Sequence, residues 1–394
     1  MASPAPDAER RPADAPTSRD DTTSAASSLR VLQVVPSLAF GGAEKLVSDL
    51  APKLVNRVAA VEVAANLTAH GGFRDSLEGA GVPLVHVPLS GRRARAIPGS
   101  VRALRRIVAD FEPDVVHAHN PAAGVASALT RALRRRAAPA LVVTYHGVRP
   151  HKLRLASGTL RFCDLVIAVG PGAEQQLVAL MPAARVRRID NAVLVEVKRD
   201  ADAVRRELGV ADRPLLVSVG RLSAEKDHRL LVDSVGVLRD QGLDVSTAVV
   251  GRGPLEDDLQ LQAKRLGLDD RIVFTGARSD AADLLAAADV VVHTASREGL
   301  PLVLLEALSL GRPTVAVDAI GVSDVIVDGE TGRLVRSREP GAVAAAVKEL
   351  LGDDELRRRL GEGGRRWAAA RWSHEQFVNA HLAVYAEAVA ARLR

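Results

Sequence analysis

Cysteine is nearly missing from this chain: Cys163 is the only one among 394 residues. A disulfide framework and a cysteine-rich metal site are therefore excluded. Aromatic residues make up only 3% of the sequence, and in the first half Phe40, Phe73, Phe111, Tyr145 and Phe162 are scattered. Nucleic acid, which single-strand binders hold by stacking bases on aromatic platforms, is a poor fit. No stretch reaches 18 uninterrupted apolar residues, so no membrane-spanning helix is expected. Residues 1–29, rich in Ala, Pro, Asp, Ser and Thr, hold no apolar run and read as a disordered tail, not a signal peptide. A cytoplasmic protein is therefore expected, soluble or peripheral at the inner face of the cell membrane. Metal-ligand constellations are scarce too: His117 and His119 are closely spaced, but no carboxylate cluster adjoins them to complete a ligand set.

What the chain does contain is an alternation of strand and helix patterns, in two series. Strands are expected near Val31–Pro36, Val58–Leu67, Leu84–Val87, Asp114–Ala118, Leu141–Tyr145, Leu165–Val169 and Val186–Ile189. The second series covers Leu215–Val219, Val245–Val250, Ile272–Thr275, Val290–His293 and Pro313–Val317. Amphipathic helices lie between them, for example Ala43–Asn56 and Pro98–Asp110. Each half fits an α/β, doubly wound parallel sheet. The break falls near Asn191–Ala201, giving domains at 30–190 and 191–372 and a last helix at 373–394. Trp367, Trp372, Phe377 and Tyr385 are rings at helical spacing in this last part, and read as packing groups that dock it.

Charge is uneven. Residues 30–190 carry 22 basic against 11 acidic side chains, whereas residues 191–394 carry 28 against 32. The basic residues cluster at Arg92, Arg93, Arg95, then Arg131, Arg134, Arg135, Arg136, and again at Arg149, Lys152, Arg154. Arg102, Arg105 and Arg106 share one helix face opposite Val101, Leu104, Ile107 and Val108. Such a face suits an anionic membrane surface or an anionic, lipid-linked acceptor, as well as plain solvent.

Four segments look chemical. In Glu298-Gly299-Leu300-Pro301-Leu302-Val303-Leu304-Leu305-Glu306 a strand runs into a buried helix, Leu302–Leu310, with Pro301 expected at its first position. Glu298 then lies at the carboxyl end of a strand, where open α/β sheets bind ligands, and can accept hydrogen bonds from hydroxyls. Glu306 sits among leucines, where an unpaired carboxylate is expensive to bury. Gly220-Arg221-Leu222-Ser223-Ala224-Glu225-Lys226 places two cations at the corresponding sheet edge, suited to a departing diphosphate. Phe40-Gly41-Gly42-Ala43-Glu44 follows the first strand and opens a helix, letting backbone amides approach an anion. It lacks the third glycine of the dinucleotide fingerprint. Thr144-Tyr145-His146-Gly147 ends a strand, so His146 could face the cleft.

Together with Phe274-Thr275-Gly276-x-Arg278, these motifs fall along the chain as they do in glycosyltransferase family 4, which residues 30–390 resemble. The resemblance implies the GT-B fold, two Rossmann-like domains across a cleft, with C-terminal helices crossing back to the first domain. It implies a retaining hexosyltransferase using a nucleotide-diphosphate sugar as co-substrate, with no metal or other cofactor, and a hydroxyl acceptor on the first domain. Arg221 and Lys226 would hold the diphosphate, with the Gly41 and Gly42 amides closing over it. Glu306 would take the ribose and Glu298 the sugar hydroxyls. Gly299, Leu300 and Leu302 would contribute around phosphate and sugar, His146 would lie beside the sugar, and Arg278 near the base. Ala192 and Asp324 depart from the pattern, standing where Gly and Glu are common. A phosphorylase or epimerase on the same fold, and an idle nucleotide-sugar binder, are the alternative readings. Intact His146, Arg221, Lys226, Glu298 and Glu306 argue against the idle one.

Overall fold

The computed structural model describes residues 26–68, 72–89, 96–133, 138–146, 160–210 and 213–393. The first sheet contains β1 (Arg30–Ser37), β2 (Ala60–Asn66), β3 (Leu84–His86), β4 (Val115–His119), β5 (Ala140–Tyr145), β6 (Leu165–Ala168) and β7 (Val186–Arg188). Its order is β3-β2-β1-β4-β5-β6-β7, and every pairing is parallel. The second contains β8 (Leu215–Val219), β9 (Ser246–Val250), β10 (Ile272–Gly276), β11 (Val290–His293), β12 (Thr314–Val317) and β13 (Arg333–Val335). Here the order is β10-β9-β8-β11-β12-β13, again parallel throughout. Helices cover both faces, so strands such as β4, β5 and β6 are buried along their whole length and read as near-continuous apolar runs.

The first-half helices are α1 (Gly42–Leu54), α2 (Arg74–Gly79), α3 (Ile97–Phe111), α4 (Pro121–Ala132) and α5 (Pro171–Val178). The second half adds α6 (Ala201–Glu207), α7 (His228–Asp240), α8 (Glu256–Arg265), α9 (Ala281–Ala287), α10 (Leu302–Ser309), α11 (Pro340–Gly352), α12 (Asp354–Arg371) and α13 (His374–Leu393). Pro at the first position starts α4, α5 and α11, while Asn120, Asp200 and Asp353 cap α4, α6 and α12 through their side chains.

Two corrections to the expected elements arise at α10 and β13. Pro301 is the residue before α10, in extended conformation, and the helix ends at Ser309. The short edge strand β13 has too few apolar residues to announce itself. The described structure also starts within the stretch expected to be tail: Ala26 and Leu29 are buried in the first core. Arg92, Arg93, Arg95, Arg134, Arg135, Arg136, Gly147, Arg149, Lys152 and Arg154, with residues 1–25, lie outside the described residues.

The last helix returns to the first sheet. Phe377, Val378, Leu382, Val384, Tyr385 and Ala388 of α13 share an apolar core with Val31, Val35 and Val142. The packing role expected of these aromatic rings holds, and Trp367 lies against the second core, with the Arg371 guanidinium 3.7 Å from its ring centre. The amphipathic reading of α3 holds as well, with Arg102, Arg105 and Arg106 exposed and Val101, Leu104 and Val108 buried.

Candidate active site

In each sheet the strand order reverses once, between β1 and β4 and between β8 and β11. Crevices open beyond the carboxyl ends of the strands at such switch points. The expected motifs occupy them: Gly41-Gly42 follows β1, Gly220 to Lys226 follows β8, and Glu298 follows β11.

Glu298 is the most constrained side chain there. Lys226 forms an ion pair with its carboxylate, and His293 Nε2 lies 3.2 Å from Oε1. Burial alone would raise the Glu298 pKa, but the Lys226 charge and His293 more than offset it and hold the group at about 2. Backbone lacing fixes the geometry. Ser296 N–H donates to Glu225 O at 2.8 Å, and Thr294 Oγ1 donates to Lys226 O at 3.2 Å. Arg338 spans the same loops, donating to Thr294 O at 2.7 Å and to Asp227 Oδ2 at 2.6 Å.

The two halves meet around Gly299. A Cβ on Gly299 would lie 2.6 Å from the carbonyl oxygen of His146, and one on Gly42 would lie 3.7 Å from Leu302 Cδ1. Leu300 packs 3.4 Å from where a Gly170 Cβ would be, and its carbonyl accepts from Asn191 Nδ2 at 3.2 Å. His146 itself is held neutral: burial first, then the neighbouring His381 charge, lowers its pKa to about 4. Protonated-histidine acid catalysis near neutral pH is therefore disfavoured at this position.

Glu306 stands one turn beyond Leu302, so both project from the same face of α10. That face meets α1, where Lys45 Nζ lies 2.6 Å from Asp49 and donates to Leu194 O at 3.1 Å. Desolvation raises the Glu306 pKa to about 7, with Lys45 lowering and Asp49 raising it to lesser degrees. The carboxyl keeps partial contact with solvent. Across the cleft Glu44 folds back so that its Oε2 lies 2.4 Å from where a Gly41 Cβ would be. Its carboxyl pKa is raised by burial and lowered in part by Arg221, which is exposed at the cleft rim.

Arg278 is placed differently from the other site residues. Its guanidinium bonds Asp280 at 2.6 and 2.7 Å and Glu207 at 2.7 Å, and Arg199 also bonds Asp280. It braces α6 against the start of α9 in this structure. Two features escaped sequence reasoning. His293 has no local signal, because its partner is fixed only by the loop beyond β11. Gly251-Arg252-Gly253 after β9 had one, being paired glycines after a strand. Gly251 has φ +141 and would place a Cβ 2.0 Å from Gly220 O, while a Gly253 Cβ would meet Leu222 O at 2.2 Å.

Residues 40–197 match the family described as Glycosyltransferase Family 4, and residues 200–367 match Glycosyl transferases group 1. The chain belongs to the family 4, group 1 glycosyltransferases. It is an enzyme of the GT-B fold. It is 31% identical to the alpha-D-kanosaminyltransferase of Streptomyces kanamyceticus, over 66% of this chain and 73% of that one. It is 32% identical to the GDP-mannose-dependent alpha-(1-6)-phosphatidylinositol monomannoside mannosyltransferase of Mycolicibacterium smegmatis, over 75% of this chain and 71% of the relative. Among solved structures, Anabaena HepE in complex with UDP and glucose superposes with a TM-score of 0.76 at 25% identity, covering 89% of this chain and 97% of HepE.

Proposed function

We propose that this glycosyltransferase moves a hexose-type sugar from a nucleotide-diphosphate sugar to a hydroxyl acceptor, with retention of configuration and without a metal ion. One observation carries the reading: beyond the second switch point Lys226 pairs with the fixed Glu298 carboxylate, and exposed Arg221 in the same loop acts on Glu44, which follows the Gly41-Gly42 turn. Two cations there would neutralise the leaving diphosphate, and the amides that open α1 would close over it. Glu306, held near neutrality of charge in the free protein, would accept hydrogen bonds from the ribose. The UDP bound by HepE supports a nucleotide donor.

Glu298 is an unsuited nucleophile, because Lys226 pairs with its Oε1 and its pKa near 2 makes it a weak base. That supports hydroxyl recognition by Glu298 and departure and attack on one face of the sugar, in place of a covalent double displacement. The basic first half favours an anionic or lipid-linked acceptor, in keeping with the phosphatidylinositol-based substrate in the name of the mycobacterial relative. Among the described residues no helix is long and apolar enough to cross a membrane, so such an acceptor would be met at the surface.

Incubation with labelled UDP-, GDP- and ADP-sugars tests the reading. One of them should be hydrolysed slowly without acceptor and should yield free nucleoside diphosphate. Binding without turnover of any of the three, or consumption only with inorganic phosphate, would contradict it.

A further inference from the structure

Beneath the cleft, a cavity of about 10 Å³ lies between β4, β5, the segment after β7 and α13. His119, His146 and Asn191 all line it. Each contributes a buried polar atom with no hydrogen-bond partner in the protein: His119 Nδ1, His146 Nε2 and Asn191 Oδ1. The volume matches one water molecule, which typically makes about three hydrogen bonds when buried.

The neighbouring network settles which of these atoms donate. His119 Nε2 lies 2.6 Å from Gln33 Oε1, an acceptor, so Nε2 carries the hydrogen. Gln33 Nε2 donates to Tyr385 Oη at 2.9 Å, which leaves the Tyr385 hydroxyl hydrogen for His117 Nδ1, 2.8 Å away. His117 Nε2–H then donates to Thr144 Oγ1 at 2.7 Å. Both rings are kept neutral, chiefly by burial, so His119 Nδ1 is left as a bare acceptor. Asn191 uses its Nδ2 on Leu300 O, which leaves Oδ1 as an acceptor as well.

We infer that the cavity binds one ordered water that donates to His119 Nδ1 and Asn191 Oδ1 and accepts from His146 Nε2–H. All three orphaned atoms are thereby satisfied, and the water's two hydrogens and one lone pair are used. The consequence is a fixed tautomer: His146 carries its hydrogen on Nε2 and keeps Nδ1 as the ring's acceptor. His119 and Asn191 become positioning residues, acting on His146 through the water. The link reaches the Glu298 loop through Leu300 and α13 through Gln33 and Tyr385. Its bearing on turnover rests on the reading of His146 as a neighbour of the transferred sugar.

Nitrogen-15 spectroscopy of the histidine-labelled full chain tests this, with His146→Asn identifying the ring. The expected spectrum has His146 wholly in the Nε2–H form, with a cross-peak from that proton to a slowly exchanging water. A ring protonated on Nδ1, a ring averaging between forms, or no water cross-peak overturns the inference. His119→Leu should then mix the two tautomers and lower kcat about tenfold, with the donor KM within about twofold, as loss of one orienting hydrogen bond would do. Unchanged tautomer or unchanged kcat in a folded variant overturns the positioning role. If that variant does not fold, the wild-type spectrum decides. Because the tautomer is read without turnover, its failure and that of the proposed transfer reaction are distinguishable.

Discussion

Glu306, proposed above to bind the donor ribose, shows at the scale of one residue how a buried carboxyl can weaken the fold that holds it. Its pKa rises from 4.5 to about 7, because burial disfavours the charged form. Below pH 4.5 the folded and unfolded chains both keep the proton, and no penalty exists. Between 4.5 and 7 only the unfolded chain releases it, so stability falls as pH rises. Above 7 the penalty is complete, roughly 2–3 kcal/mol for a carboxyl that solvent still partly reaches. Glu306→Gln should therefore raise the urea midpoint at pH 8 and leave it unchanged at pH 4, while weakening donor binding at both. Equal shifts at the two pH values would contradict the assignment. Glu298 has the opposite sign: its depressed pKa contributes stability above 4.5 that is lost as pH falls toward 2. The setting of both carboxylates was legible, one at a strand end and one among leucines. The ion pairs of Arg278 were not, since they join Asp280 to Glu207, the latter 71 residues away.

At the scale of elements, the parallel strands were readable because burial on two faces demands continuous apolar runs, and β8 and β11 fall where those runs do. The polar network under the cleft was not, because Gln33 and Tyr385 are 352 residues apart and neither carries a local signal. Loop contacts between the halves were equally hidden. Gly299 gives the clearest test of them. A methyl group added there would lie 2.6 Å from His146 O and 3.4 Å from Val169 Cγ2, so the loop must shift. Gly299→Ala should reduce turnover at least tenfold and cost about 1–3 kcal/mol of stability, the range for overpacking. Gly341→Ala in α11 is the contrast: nothing lies within 4 Å of its added carbon. It should leave activity unchanged and stabilise by up to about 1 kcal/mol. Similar activity losses for the two variants would show that the Gly299 approach has no functional weight.

For the whole molecule, the excess of basic side chains on residues 30–190 and the exposed face of α3 set the long-range field. Arg131 is withdrawn from that field by its 2.6 Å pair with Asp164, whereas Arg102, Arg105 and Arg106 stay exposed. If the acceptor is anionic or lipid-linked, the protein should co-sediment with anionic vesicles at low salt. Binding should fade above about 0.15 M ionic strength, where the Debye length is about 8 Å. Replacing the three arginines of α3 by Ser should weaken vesicle affinity by about 1 kcal/mol per charge and leave donor hydrolysis nearly unchanged. Equal affinity of wild type and triple variant would favour an acceptor in solution. The central claim is that Arg221 and Lys226 carry the charge of the departing diphosphate, and turnover of the preferred nucleotide sugar in excess EDTA measures it most directly. The account predicts that wild-type turnover persists there, and that Arg221→Ala and Lys226→Ala each lose about 2–4 kcal/mol of transition-state stabilisation under first-order conditions. Turnover that vanishes in EDTA and returns with magnesium or manganese, or full activity in either variant, would contradict it.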